Sequence, residues 1–399
     1  MKKFALVLSG GGFKGAFQIG ALRYLKDNWA KINPGQPEMK FDIIAGISVG
    51  SLNGALLASG KFEELEKLWK DVGENGVEEI YTSDFIDTQS QSETLQLNIT
   101  AESLIKRFAP GLNIRISFWK GLQLLFSQSR RDRFLAEILL STERDFTENF
   151  QQFKALADNT PLQNKLKDLI RIKDIQDVVY RCGFVSLDNG IYYSLGNRDF
   201  ASDEDFQKGI MASTSMPIIW EPVPELKTTF SSVKNLVDGG IKNVSPLGDV
   251  IDEINRDSSD DEYTIFIINC NTHDIEEVAY DERNIAQIAL RSLTDIALSE
   301  IFNNDLEEFL RINDILEQIG EIRPGFPIYN YDFRKRQRTD EILKTFKTVV
   351  IQPDLGILGD SLVSTKALYN RRYAHGREKA MMAVEDIHQK HSLSNTIIV

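Results

Sequence analysis

Apolar residues near the start of the chain fall into short, mostly apolar runs, KFALVL over 3–8 and FDIIA over 41–45. Runs of that length fit strands buried on both faces. Each is soon followed by glycine and passes into helical spacing, over 13–24 and 48–59, and residues 62–72 (FEELEKLWKDV) form a third, amphipathic helical pattern. Strand, turn and helix repeated twice predict an α/β start with parallel strands and crossover helices.

From about 73 to 172 the pattern changes to polar stretches and helical segments, read as a mainly helical insertion. Strand character returns in 178–185 and 191–195, on either side of Asp188-Asn189-Gly190. An Asn-Gly pair between such runs predicts a hairpin. A short helix over 206–214 precedes Ser215-Met216-Pro217, and Asn235-Leu236-Val237 leads into Asp238-Gly239-Gly240. Residues 263–269 (YTIFIIN) predict another buried strand, 284–319 long helices, 346–351 a late strand and 364–388 a final helix. The expected organisation is a core over 1–275 with a helical cap inserted at about 73–175. A mostly helical extension over 276–399 follows, with one late strand packed on the core.

Composition narrows the function classes. The 399 residues are 42% hydrophobic and 26% charged, as in a globular protein with a sizeable core. A formal charge of −13 argues against a nucleic-acid partner. The N-terminal apolar run is too short for a signal peptide, and no stretch is long enough to span a bilayer. Cys182 and Cys270 lie far apart and suggest buried thiols in a reducing, cytoplasmic compartment rather than a disulfide framework. No His/Cys cluster has metal-ligand spacing, so no metal and no cofactor is expected.

Charge is locally segregated. Lys106, Arg107, Arg115, Lys120, Arg130, Arg131 and Arg133 stand against Asp132 alone, among apolar residues that include Phe118, Trp119, Leu122 and Phe126. Such a segment either lies on a membrane surface, making the protein peripheral there, or packs as an ordinary helix with a solvated basic face.

Candidate chemistry centres on Gly46-Ile47-Ser48-Val49-Gly50. A serine between glycines at a strand-to-helix turn is the pattern of a nucleophile elbow. Gly10-Gly11-Gly12-Phe13-Lys14-Gly15 joins the first strand to the first helix and satisfies G-x-G-x-x-G. A dinucleotide site needs an acid at the end of the second strand, where Ala45 stands, and a phosphate-binding loop needs Lys-Ser/Thr where Ala16 follows Gly15. The better reading is an oxyanion site made of glycine amides, with Lys14 adding positive potential. For a base there are four histidines, His273, His375, His388 and His391. Three lie in the C-terminal helical region on apparently solvated faces, which leaves His273 as the histidine of a Ser-Asp-His triad in a general esterase or thioesterase. The alternative is Asp238, a carboxylate at a strand end before Gly239 and Gly240. Its place after an apolar strand, with both other motifs present, favours it.

Four blocks together resemble the patatin-like phospholipase family of the bacterial type. They are Gly10 to Gly15, with lysine where arginine is more usual, Gly46 to Gly50, Ala212-Ser213-Thr214-Ser215-Met216-Pro217, and Asp238-Gly239-Gly240. The resemblance covers roughly residues 3–247. It implies a three-layer α/β/α fold with a mainly parallel central sheet. It also implies a Ser48–Asp238 dyad without histidine, an oxyanion held near Gly10, Gly11 and Gly12, and an acyl-serine intermediate on phospholipid or lysophospholipid substrates. Lys14, Gly15, Gly46, Gly50, Gly239 and Gly240 would support it. The unmatched C-terminal helices are expected to serve a regulatory partner or a second copy of the chain.

Overall fold

The computed structural model describes residues 2–98, 154–257, 259, 261–275, 277, 288–289, 291–332, 335–389 and 396–399. The basic segment with Phe118, Trp119, Leu122 and Phe126 lies outside them, as does His391.

A nine-stranded, mainly parallel sheet runs through the molecule. β1 (Lys2–Leu8) is central, with β2 (Ile43–Ile47) and β7 (Glu262–Ile268) parallel on either side. β3 (Val179–Ser186) continues parallel beyond β2, and β10 (Lys347–Ile351) and β11 (Thr396–Ile398) continue parallel beyond β7. The extension after residue 276 thus adds a second strand to the sheet besides the one expected at 346–351. It also carries a separate hairpin, β8 (Tyr329–Asp332) with β9 (Gln337–Ile342).

Alternation along the strands separates two cores. Phe4, Leu6, Leu8 and Ile44 face one side, against α1 (Gly15–Ile32), α2 (Val49–Ala58), α3 (Phe62–Asn75), α5 (Asp203–Thr214) and α8 (Lys366–Gln389). Ala5, Val7, Ile43 and Ala45 face the other, against α6 (Leu247–Arg256) and α7 (Leu298–Ile322). The result is three layers, α/β/α. The long helical pattern expected over 284–319 is helical at 288–289 and 291, turns π-helical at Ser292–Ala297 and continues as α7. Of the insertion, the described parts are the end of α3, loops with short 3-10 turns at Val77–Glu79 and Ile172–Asp174, and α4 (Thr160–Leu169), whose Leu162 and Leu166 are buried.

The antiparallel edge positions the site. β4 (Tyr192–Gly196) forms the expected hairpin with β3 and occupies one edge of β3 across Arg181 to Val185. β6 (Ser232–Asp238), which pairs with β5 (Val223–Lys227), meets β3 at Phe184 to Ser186, so it can take only the edge that β2 occupies. On that edge β2 ends with Ile47 opposite Gly183, and β6 ends with Asp238 opposite Phe184. Two strands of opposite direction therefore meet end to end, and the residues at their tips are Ser48 and Asp238.

Candidate active site

Leu8 pairs with Gly46, so the glycine loop after β1 and the serine turn after β2 leave the sheet side by side. Ser48 has φ 53° and ψ −128°, a conformation a side chain rarely adopts. The flanking glycines make that turn feasible. A Cβ on Gly46 would collide with the Gly50 carbonyl, and one on Gly50 with the Leu8 carbonyl. The strained residue is held by its surroundings: Ser48 N–H donates to Ser213 Oγ at 2.9 Å, and its carbonyl accepts from Ser51 N–H at 2.9 Å and Ser51 Oγ at 2.7 Å.

Asp238 is 3% exposed. Its Oδ1 accepts from Gly240 N–H at 2.7 Å, and its own N–H donates to Ser215 O at 2.9 Å. Oδ2 is buried and has no hydrogen-bond partner of ordinary geometry. Burial pushes the carboxyl up to about 7, against the opposing influence of the neighbouring Ser48 hydroxyl and the Gly240 amide. Gly239 is needed at the junction because a Cβ there would press on the Gly183 carbonyl at 2.6 Å. The block from Ala212 to Pro217 has a clear part in this: Ser213 holds Ser48 and Ser215 holds Asp238.

In the glycine loop Gly10 lies against Ser48, 3.3 Å from an added Cβ to the serine Cβ. Gly10 N–H donates to Val244 O at 3.2 Å and Phe13 N–H to Ser361 O at 2.8 Å. Among the described residues the Gly11 and Gly12 amides have no such acceptor. Gly12 has φ 55°, and a Cβ on Gly11 would collide with Cys270. Gly15 packs against Val49 and the Trp69 ring, joining α1 to α2 and α3. Lys14 points elsewhere. It lines a different cleft with Cys270, Asp295 and Asp360, and burial lowers its ammonium pKa while Asp295 opposes that.

A cavity of about 50 Å³ opens at Ser48. Gly12 and Phe13 line it, with Leu52, Leu68, Trp69, Val72, Leu162 and Trp220, and its wall is almost wholly apolar.

The histidines are elsewhere. His273 is on the surface, its Nε2 paired with Glu307 at 2.9 Å, and Glu307 above all raises its pKa. It does not line the serine cavity. His375 corrects an expectation: it is buried, not solvated, because α8 packs that face on α1. Its Nε2 accepts from Asp354 N–H at 3.0 Å, and its ring lies 5.7 Å from that of Phe17. Cys182 and Cys270 are buried free thiols pushed up to about 12 by desolvation. Among the described residues no group of three or more His, Cys, Asp or Glu could hold a metal ion. No described helix is long and apolar enough to cross a membrane.

Sequence patterning did not single out a buried polar chain beneath the loop. Trp69 Nε1 donates to Asn53 Oδ1 at 2.8 Å, Asn53 Nδ2 to Gln18 Oε1 at 2.9 Å, and Gln18 Nε2 to Ser9 O at 2.9 Å. Gln18 and Asn53 occupy apolar faces of α1 and α2, and that violation of the pattern was the available signal.

Fold and site together describe a lipid acyl hydrolase: a mainly parallel α/β/α sheet with a glycine-flanked serine, a buried carboxylate and an apolar cavity at its C-terminal edge. The patatin-like phospholipase family model matches residues 6–251, and the chain belongs to that family. No curated protein matches the chain. Among solved structures VipD from Legionella pneumophila is similar over 100% of this chain and 71% of its own, at 11% identity and a TM-score of 0.35.

Proposed function

We propose that the protein hydrolyses fatty acyl esters of phospholipids or lysophospholipids, with Ser48 as nucleophile and Asp238 as general base. The observation that carries this reading is the buried, unpartnered Oδ2 of Asp238 at the strand end that abuts Ser48, beside the apolar cavity. In the first step Asp238 takes the hydroxyl proton as Ser48 Oγ bonds the acyl carbon. The carbonyl electron pair moves onto oxygen, where the Gly11 and Gly12 amides receive it. Collapse expels the alcohol oxygen, which takes the proton from Asp238. Water then repeats the sequence on the acyl-serine, and the fatty acid leaves with the serine hydroxyl restored. The acyl chain lies along Leu68, Val72, Leu162 and Trp220.

Mass spectrometry of a mixed lipid extract tests this. The native chain should release free fatty acid and the matching lysolipid or glycerophospho-alcohol, and Ser48→Ala should lose turnover by on the order of 10⁴-fold or more. Hydrolysis that persists in Ser48→Ala would refute it. The basic, apolar sequence around Phe118, Trp119, Leu122 and Phe126 is proposed to contact the lipid surface. Deleting residues 114–126 should lower activity on vesicles more than on a soluble short-chain ester, and equal loss on both would remove that role.

A further inference from the structure

The family match ends at residue 251, yet the glycine loop is held by residues 358–372. Phe13, inside the loop, is fixed at both polar ends. Its N–H donates to Ser361 O at 2.8 Å, and its carbonyl accepts from Arg372 Nη1 at 3.2 Å. Arg372 is fully buried on α8. It donates as well to Leu358 O at 2.7 Å, Val363 O at 2.8 Å and Asp360 O at 2.6 Å. Among the described residues it makes no hydrogen bond to a carboxylate.

A buried guanidinium hydrogen-bonded only to carbonyls, with the Asp360 carboxylate acting on it from beyond ion-pair distance, is a costly way to fill space, and an apolar side chain would suit packing better. What the planar fork supplies is fixed geometry among four carbonyls. The neighbouring backbone is equally constrained. Gly12 lies so close to the Ser361 carbonyl that no Cβ fits. Helices α1 and α8 cross at backbone contact, Gly20 on the Tyr373 carbonyl and Gly376 on the Phe17 carbonyl, which sets the distance from which Arg372 reaches the loop. With the Phe13 N–H turned toward Ser361, the Gly12–Phe13 peptide cannot rotate, and Gly12 is presented to the cavity that holds Ser48.

We propose that Arg372 is a positioning residue for the reaction: through Phe13, and through the loop that carries Ser361, it fixes the angle at which the Gly11 and Gly12 amides meet the developing oxyanion. This rests on the Ser48 reading above. The segment after residue 352 is then part of the catalytic apparatus although it carries no reacting group.

The test uses the full chain with a soluble short-chain ester, in Arg372→Gln, Arg372→Lys and Ser48→Ala. Arg372→Gln should lower kcat by roughly 10- to 100-fold with KM within about twofold, and Arg372→Lys should fall between it and the native chain. Hydrogen exchange in both variants should quicken in 9–15 and 353–365 while β1, β2 and β7 stay protected. Unchanged kcat, a change confined to KM, or exchange that quickens throughout the chain would each overturn the proposal. Native-state exchange covers the case in which the variants fail to fold. In the native chain 9–15 and 353–365 should open together, and continued protection of 9–15 while 353–365 opens overturns the coupling. Failure of the underlying reading is separate, because it appears as native-chain hydrolysis that Ser48→Ala does not reduce.

Discussion

In its proposed role as general base, Asp238 faces two opposing demands. A base must be ionised to accept a proton, and burial at 3% exposure favours the neutral acid. With the carboxyl at about 7, kcat/KM should rise through pH 7 and level above it, which a pH–rate profile on a soluble ester would read. The same shift sets a stability trend of known sign. The folded chain keeps this proton up to about pH 7, whereas the unfolded chain releases it near the ordinary carboxyl value of about 4. Between those values the folded state binds more protons, so this group's contribution falls as pH rises, by at most about 1.4 kcal/mol per pH unit. Asp238→Asn should therefore abolish turnover yet unfold at a higher temperature than the native chain at pH 8, and calorimetry at pH 5 should show that gap narrowed. A constant gap across the range would mean that Asp238 does not titrate in this window.

At the scale of elements the site is a set of strand ends and the helices that follow them. The turn at Ser48 depends on the missing Cβ atoms of Gly46 and Gly50. Gly50→Ala would drive a methyl into the Leu8 carbonyl and should destabilise the chain by about 2–4 kcal/mol, measured by urea unfolding. Beneath the turn, Asn53 joins Trp69 on α3 to Gln18 on α1. Asn53→Leu leaves both partners buried and unsatisfied, for which about 1–3 kcal/mol is expected. A double-mutant cycle with Gln18→Leu should recover part of that loss, since removing a second polar partner is cheaper than orphaning it.

For the whole molecule, the matched portion is not a free-standing sheet. β1 of that portion pairs with β7, just past it, which in turn pairs along its other edge with β10, and α1 is covered by α8. A chain cut after residue 345 loses β10, α8 and β11 together, exposing an apolar strand edge and the Phe17 face of α1. It should lose cooperative unfolding as well as activity, which thermal denaturation followed by circular dichroism would check.

Local physics made much of this legible. Short, mostly apolar runs soon followed by glycine announced β1 and β2, the Asn189-Gly190 turn announced the hairpin, and the glycines around Ser48 announced a turn too sharp for side chains. These signals are short in range: each depends on what a backbone can do within a few residues. His375 escaped them because its burial is made by a helix crossing, and Gln18, Asn53 and Arg372 because their partners lie far away in sequence. The sequence alone thus determined which residue types could react and where the chain must turn, since sterics and periodicity act locally. Only tertiary structure decided that β6 meets β2 end to end on the edge of β3, which brings Asp238 to Ser48 and raises its carboxyl by burial. Only tertiary structure, likewise, placed a C-terminal arginine behind the glycine loop, because strand pairing and helix packing join segments without regard to their distance along the chain.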